Sequence, residues 1–94
     1  MRSPRPACTN FVRYLAKEWA ADGIRVNAVA PGPVDTPMIG RFDAGTRAAL
    51  RRSIPLGRDG TVAEVAANIL FLCSRHAAWQ TGTIVNISGG LVLG

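Results

Sequence analysis

The sequence predicts an α/β fold with a parallel sheet, in the order helix, strand, long loop, helix, strand. Two stretches repeat apolar residues at steps of three and four: Cys8, Phe11, Val12, Leu15, Ala16 and Trp19, then Val62, Val65, Ala66, Ile69, Leu72 and Cys73. That spacing lays one apolar stripe along a helix. A short β-branched run follows each stripe, at residues 24–30 and 83–87. The first run is apolar on both faces, with Ile24, Val26, Ala28 and Ala30 on one and Val29 on the other. Strands buried on both faces belong to parallel sheets covered by helices.

The first helix is expected over residues 4–21. Ser3 suits its cap and Pro4 its first position, where a missing N–H costs nothing. Asn10, Arg13 and Lys17 lie opposite the stripe, and Gly23 suits the left-handed residue that ends a helix. Residues 31–60 read as a long connection punctuated by Gly and Pro. Within it Asp43 is placed to cap a short helix running to about Arg52, and residues 54–60 form a turn. Thr61-Val-Ala-Glu64 is a capping box: the threonine serves a backbone N–H three residues on, and the glutamate reaches back. Arg75 suits the C-terminal end of that helix. Gln80-Thr-Gly82 is a turn into the second strand, which Gly89-Gly90 closes. Two parallel strands do not make a stable sheet alone. Residues 1–94 are therefore read as a single partial domain of a larger α/β unit, with 38–60 as its loop region.

The formal charge is +5, from eleven Lys and Arg against six Asp and Glu. The charges are interleaved and no aromatic–basic alternation offers a stacking platform, so nucleic acid is not an expected partner. No apolar run reaches the roughly 20 residues of a membrane span, so no membrane partner is expected either. No signal-peptide apolar core follows the basic start, and the cytoplasm is the expected location. Cys8 and Cys73 stand alone, without ligand spacing, and are expected as buried thiols; no metal site is expected.

The first strand stops at Pro31-Gly32-Pro33, and a hydroxyl follows at Thr36. A Pro-Gly turn by itself ends a strand. The same residues also suit a chain shaped to pass close to a ligand, because glycine removes the Cβ from the approach.

Three segments resemble the short-chain dehydrogenase/reductase family. Residues 15–38 look like its C-terminal half around Pro31-Gly-Pro-Val-Asp-Thr36. Ile54-Pro-Leu-Gly-Arg58 and Glu64-Val-Ala66 look like the entry to its last large helix. Residues 81–90 look like its final strand. The resemblance implies the C-terminal part of a doubly wound Rossmann-like sheet that binds NAD or NADP. It implies hydride transfer between the nicotinamide and an alcohol or carbonyl. It assigns cofactor contact to Pro31, Gly32, Val34 and Thr36, with backbone groups around Val34 on the carboxamide. The loop from Met38 to Ser53 becomes the substrate loop, with Met38, Ile39 and Phe42 lining an apolar pocket. Homo-oligomer contacts would run through the first helix, the last helix and the last strand.

The family's chemistry uses Tyr-x-x-x-Lys at the start of the first helix. Those two positions fall on Met1 and Arg5 here, so no catalytic residue is assigned. Tyr14 lies more than two turns further on. Gly89 to Gly94 imitates a Gly-rich cofactor turn but opens no helix. His76, the sole histidine, sits near a helix end and has no nucleophile to serve. Residues 1–6 depart from the family in composition, which fits a natural truncation or a mis-started reading frame. The expected function is thus that of an oxidoreductase's C-terminal fragment, inactive alone. The alternative is a non-catalytic oligomerisation or interaction module.

Overall fold

The computed structural model describes residues 6–93. Its elements are α1 (Pro6–Trp19), β1 (Ala28–Pro31), α2 (Ala44–Ser53), α3 (Val62–Cys73) and β2 (Ile84–Ile87), with single 3-10 turns at Ala20–Asp22, Ile39–Arg41 and Arg75–Ala77. The two strands pair in parallel, Ala28 opposite Ile84 through Pro31 opposite Ile87. The expected α/β order is the observed one. The expected cap at Ser3 lies outside the described residues.

Local chemistry accounts for each boundary. Gly23 closes the 3-10 turn after α1 with φ 73° and donates to the Ala20 carbonyl. Asp43 caps α2, accepting the Thr46 N–H at 2.7 Å. That bond favours the charged carboxylate and holds its pKa below the ordinary value. At α3 both halves of the capping box are made: the Glu64 N–H donates to Thr61 Oγ1 at 3.1 Å, and the Thr61 N–H donates to Glu64 Oε1 at 2.9 Å. Arg58 adds a bidentate pair to Glu64 at 2.8 and 2.7 Å. Arg75, expected in the last turn of this helix, lies in the 3-10 turn beyond it.

The first strand is shorter than the apolar run that predicts it. Ladder pairing begins only at Ala28; upstream, side chains make most of the bonds to the 80–83 segment, and the Val26 carbonyl accepts the Gly82 N–H at 2.7 Å. Asn27 donates from Nδ2 to the Gln80 carbonyl at 2.9 Å and accepts the Thr83 N–H at 3.1 Å. Thr81 Oγ1 accepts the Val26 N–H at 3.0 Å. Arg25 reaches the Gln80 and Ser74 carbonyls at 3.3 and 3.4 Å. These bonds hold the entrances of the two strands together without extending the sheet.

The core is small. Among the described residues, Val12, Ala16, Ile54 and Ala77 are the buried apolar side chains, and every residue of β2 is half-buried. Cys8 and Cys73, expected as buried thiols, are both exposed. Both stripes lie on their helices, but Cys8 and Phe11 of the first and Val62, Ile69 and Cys73 of the second are left exposed among the described residues. No described helix is long and apolar enough to cross a membrane.

The Arg58 pair, then the Thr61 bonds, hold the Glu64 pKa down from 4.5 to about 2. A carboxyl depressed by folding stabilises the fold above its unfolded pKa. Helicity read by circular dichroism is therefore expected to fall as pH drops from about 4.5 towards 2. Glu64→Gln should flatten that part of the titration. Thr61→Ala should cost about 1 kcal/mol of stability at neutral pH.

Candidate functional site

Three loop segments meet at the carboxyl ends of β1 and β2, and the strand ends decide how. In a parallel ladder, alternate residues of a strand serve one neighbour. The Ala28 N–H donates to the Thr83 carbonyl at 3.0 Å and the Gly32 N–H to the Ile87 carbonyl at 2.9 Å. Val29 and Pro31, between them, direct their main-chain groups to the opposite edge. Proline ends the sequence-predicted strand, yet it does not end this ladder. It stands where its missing N–H would face away from β2, and pairing runs on to Gly32.

Gly32 is fixed by packing. A Cβ there would lie 3.0 Å from both Cα and Cβ of Ser88, at the end of β2. The turn after β2 is held from the other side. Gly89, at φ 62°, leaves a Cβ position only 2.8 Å from Ile54 Cγ2, and its carbonyl accepts the Leu56 N–H at 3.0 Å. Ser88 Oγ accepts the Val92 N–H at 3.0 Å, which folds the following residues back over the turn. The Pro31, Ile54 and Ser88 segments thus brace one another.

Val34 completes the join. It forms an isolated parallel bridge with Gly60, in which the Gly60 N–H donates to the Pro33 carbonyl at 3.0 Å and the Asp35 N–H to the Gly60 carbonyl at 2.8 Å. Both bonds use Val34's neighbours. Its own N–H and C=O point away from Gly60, and neither has a hydrogen-bond partner among the described residues. A donor and an acceptor side by side on half-buried backbone match the two groups of a primary carboxamide.

A cleft of about 490 Å³ opens beside this junction. Pro33, Leu56, Arg58, Glu64, Asn86 and Ser88 are among its lining residues. Of the sequence-predicted cofactor residues, Pro31, Gly32, Val34 and Thr36 stand along the β1 exit and not in that lining. The Thr36 carbonyl accepts the Gly40 N–H at 3.1 Å, which turns the chain into the substrate loop. On that loop Met38 and Phe42 are exposed and Ile39 is half-buried. Met1 and Arg5 lie outside the described residues. The sequence reading missed Asn86 and Ser88 as cleft residues; only their place at the strand end, beside Gly89-Gly90, could have marked them.

The family model described as enoyl-(acyl carrier protein) reductase matches residues 1–92. The chain belongs to the short-chain dehydrogenase/reductase family. It is 49% identical over 83 residues to the 3-oxoacyl-[acyl-carrier-protein] reductase FabG of Thermotoga maritima, covering 88% of this chain and 34% of that protein. It is 46% identical over 88 residues to the galactitol 2-dehydrogenase of Rhizobium johnstonii, covering 92% of this chain and 34% of that one. The crystal structure of a 3-oxoacyl-[acyl-carrier protein] reductase from Brucella melitensis superposes with a TM-score of 0.89 at 38% identity, over 94% of this chain and 33% of that one. The chain spans about a third of the length of the curated relatives it matches. The fold is accordingly part of a Rossmann-like α/β sheet.

The contact between Gly32 and Ser88 yields a direct test. Gly32→Ala is expected to destabilise the chain by about 1–3 kcal/mol in urea unfolding, the usual cost of overpacking a tight site. Ser88→Gly should recover only part of that loss, because one of the two contacts is to the Ser88 backbone.

Proposed function

We propose that this chain is the C-terminal part of an NAD- or NADP-dependent oxidoreductase that moves hydride between a nicotinamide and an alcohol or carbonyl. The observation that carries the reading is the pair of unpaired main-chain groups at Val34, at the carboxyl end of a parallel strand. Ligands of open α/β sheets sit at that end.

On this reading the Val34 N–H and C=O hold the carboxamide. The Thr36 hydroxyl bonds the carboxamide or the pyrophosphate. Pro31 and Gly32 set the direction in which the chain leaves the sheet. The nicotinamide supplies or accepts the hydride. The chain's own part is to fix which face of the ring is presented, an effect of orientation more than of affinity. Met38, Ile39 and Phe42 ride on a loop that closes over the substrate, and their present exposure is that of an open loop. Residues 1–94 act as a partial domain in this scheme, with 38–60 as its substrate-loop region, and the protein works in the cytoplasm.

Hydride transfer by the 94-residue chain alone is not expected. The Tyr and Lys positions of the family's proton-transfer pair hold Met1 and Arg5, and proton transfer by a positioned group is typically worth about 10²–10⁴-fold. A second reading, a non-catalytic interaction module, draws on the exposed Phe11 of α1 and the exposed Ile69 and Leu70 of α3. α1, α3 and β2 are then homo-oligomer surfaces.

The decisive experiment uses a chimera in which residues 7–94 replace the matched third of the Thermotoga maritima reductase. It is expected to bind a nicotinamide nucleotide and oxidise its reduced form in the presence of that enzyme's substrate. Val34→Pro, which removes the N–H, should lower turnover on the order of 100-fold. Thr36→Val should lower it about tenfold, the worth of one hydrogen bond of roughly 1.4 kcal/mol. A folded chimera that binds no nicotinamide nucleotide would sink the proposal.

A further inference from the structure

Residues 38–60 hold five arginines against two aspartates. Both acids are engaged. Asp43 caps α2 through the Thr46 N–H at 2.7 Å. Asp59 accepts Nε and Nη2 of Arg51 on one oxygen, both at 3.4 Å, which is long for a charge-assisted bond. Arg58 pairs with Glu64, and Arg41 and Arg52 are exposed to solvent. Arg47 is left without an acid.

Arg47 also stands on the inner face of its helix. α2 keeps Arg47, Ala48, Leu50 and Arg51 half-buried, while Thr46, Ala49, Arg52 and Ser53 are exposed. Arg47 and Arg51 are one turn apart, where like charges repel. Arg51 has Asp59 to offset its charge. Arg47 has no ion pair and no side-chain hydrogen bond among the described residues, and its Nε is covered by protein without an acceptor. A partly dehydrated, unpaired guanidinium is costly, and arginine is seldom buried without a partner. Only Nε is covered in this way, so Nη1 and Nη2 stay open to an incoming group.

The place and charge of the pair say which group fits. Asp59 directly precedes Gly60, the residue that bridges Val34. It therefore ties Arg51, and with it the inner face of α2, beside the junction where the reading above puts the nicotinamide. Two guanidinium charges against one carboxylate leave a single positive charge, which one monoanion balances. The two parallel donors at the end of a guanidinium match the two oxygens of a carboxylate.

We propose that the substrate is an oxo or hydroxy acid whose carboxylate is held by Nη1 and Nη2 of Arg47, with Arg51 adding its charge from the next turn. The inference rests on the reading of residues 38–60 as the substrate loop of a nicotinamide-dependent oxidoreductase.

Two measurements test it, and the first is independent of the cofactor. In a nitrogen–proton correlation spectrum of the 94-residue chain, acetoacetate is expected to shift the Nε–Hε signal of Arg47 saturably. Neutral methyl acetoacetate is expected to leave it unmoved. Arg47→Lys identifies the signal by removing it. In the chimera, kcat/KM is expected to favour acetoacetate over its methyl ester. That preference should fall roughly tenfold or more in Arg47→Gln, the worth of hydrogen bonds to a charged group. It should fall by less in Arg47→Lys, which keeps the charge and loses the fork, and be kept in Arg52→Gln on the exposed face. An Arg47 signal that acetoacetate does not move overturns the proposal. So does a signal moved equally by the ester, or by inorganic phosphate and not by acetoacetate. A preference that survives Arg47→Gln, or falls as far in Arg52→Gln, overturns it too. A chimera that binds no nicotinamide nucleotide sinks the reading above, while the Arg47 signal still decides the carboxylate site.

Discussion

The parallel pairing of β1 with β2 is the interaction on which the rest of the chain depends. It spans only four residue pairs, and a two-stranded sheet is marginal in water. Its persistence rests on the polar bonds at its two ends. At the entrance, Asn27 both donates to the 80–83 segment and accepts from it. At the exit, Gly32 and Gly89 allow the Pro31, Ser88 and Ile54 segments to approach within van der Waals limits that a side chain would break. A covalent chain with little apolar core is thus held at the strand ends, where backbone meets backbone.

Much of this architecture was legible in the sequence because it is written in local chemistry. Asp43, Thr61 and Glu64 declare their helix starts by residue type and spacing alone. Gly23 declares its turn in the same way. The registers that join distant residues were not legible. Nothing in the letters Asn27 and Gln80 reveals that they bond, since 53 positions separate them. The strand is shorter than its apolar run for the same reason: residues 24–27 have strand-like side chains, but they bond through the Arg25 and Asn27 side chains, Thr81 Oγ1 and single backbone bonds such as Gly82 N–H to the Val26 carbonyl, not through a ladder. The buried cysteines were the clearest error. A stripe at helical spacing tells which face of a helix is apolar, and it does not tell whether the partner for that face lies in the same chain.

The site shows the same division. The sequence marks Pro31, Gly32, Val34 and Thr36 through family resemblance, and the fold brings that segment against the other two resembling segments. The physical reason for Gly32 differs from the expected one. The expectation was room for a flat ring; the structure gives contact with Ser88. The two reasons are compatible, because a backbone pressed against Ser88 is also a backbone whose next residues leave the sheet on a fixed line. Val34 acquires its significance only in three dimensions, since its free groups follow from a bridge in which Pro33 and Asp35 do the bonding.

The alternation of hydrogen bonds along β1 decides which main-chain groups serve β2 and which face its other edge. Ala28 and Gly32 turn towards β2 and fix the exit of the strand. Val29 turns outward to the open edge, and Pro31 stands in the same outward register without a donor. A strand added at that edge can therefore pair through Val29 but receives no N–H from Pro31. Its last residues must part from β1 beside Pro31, opening the sheet next to Val34. Splitting of strands at a shared edge is the geometry that creates a crevice at the carboxyl end of an open sheet. The proline that the sequence presents as a stop signal thus ends donation on one edge of β1 while the ladder with β2 runs on past it to Gly32.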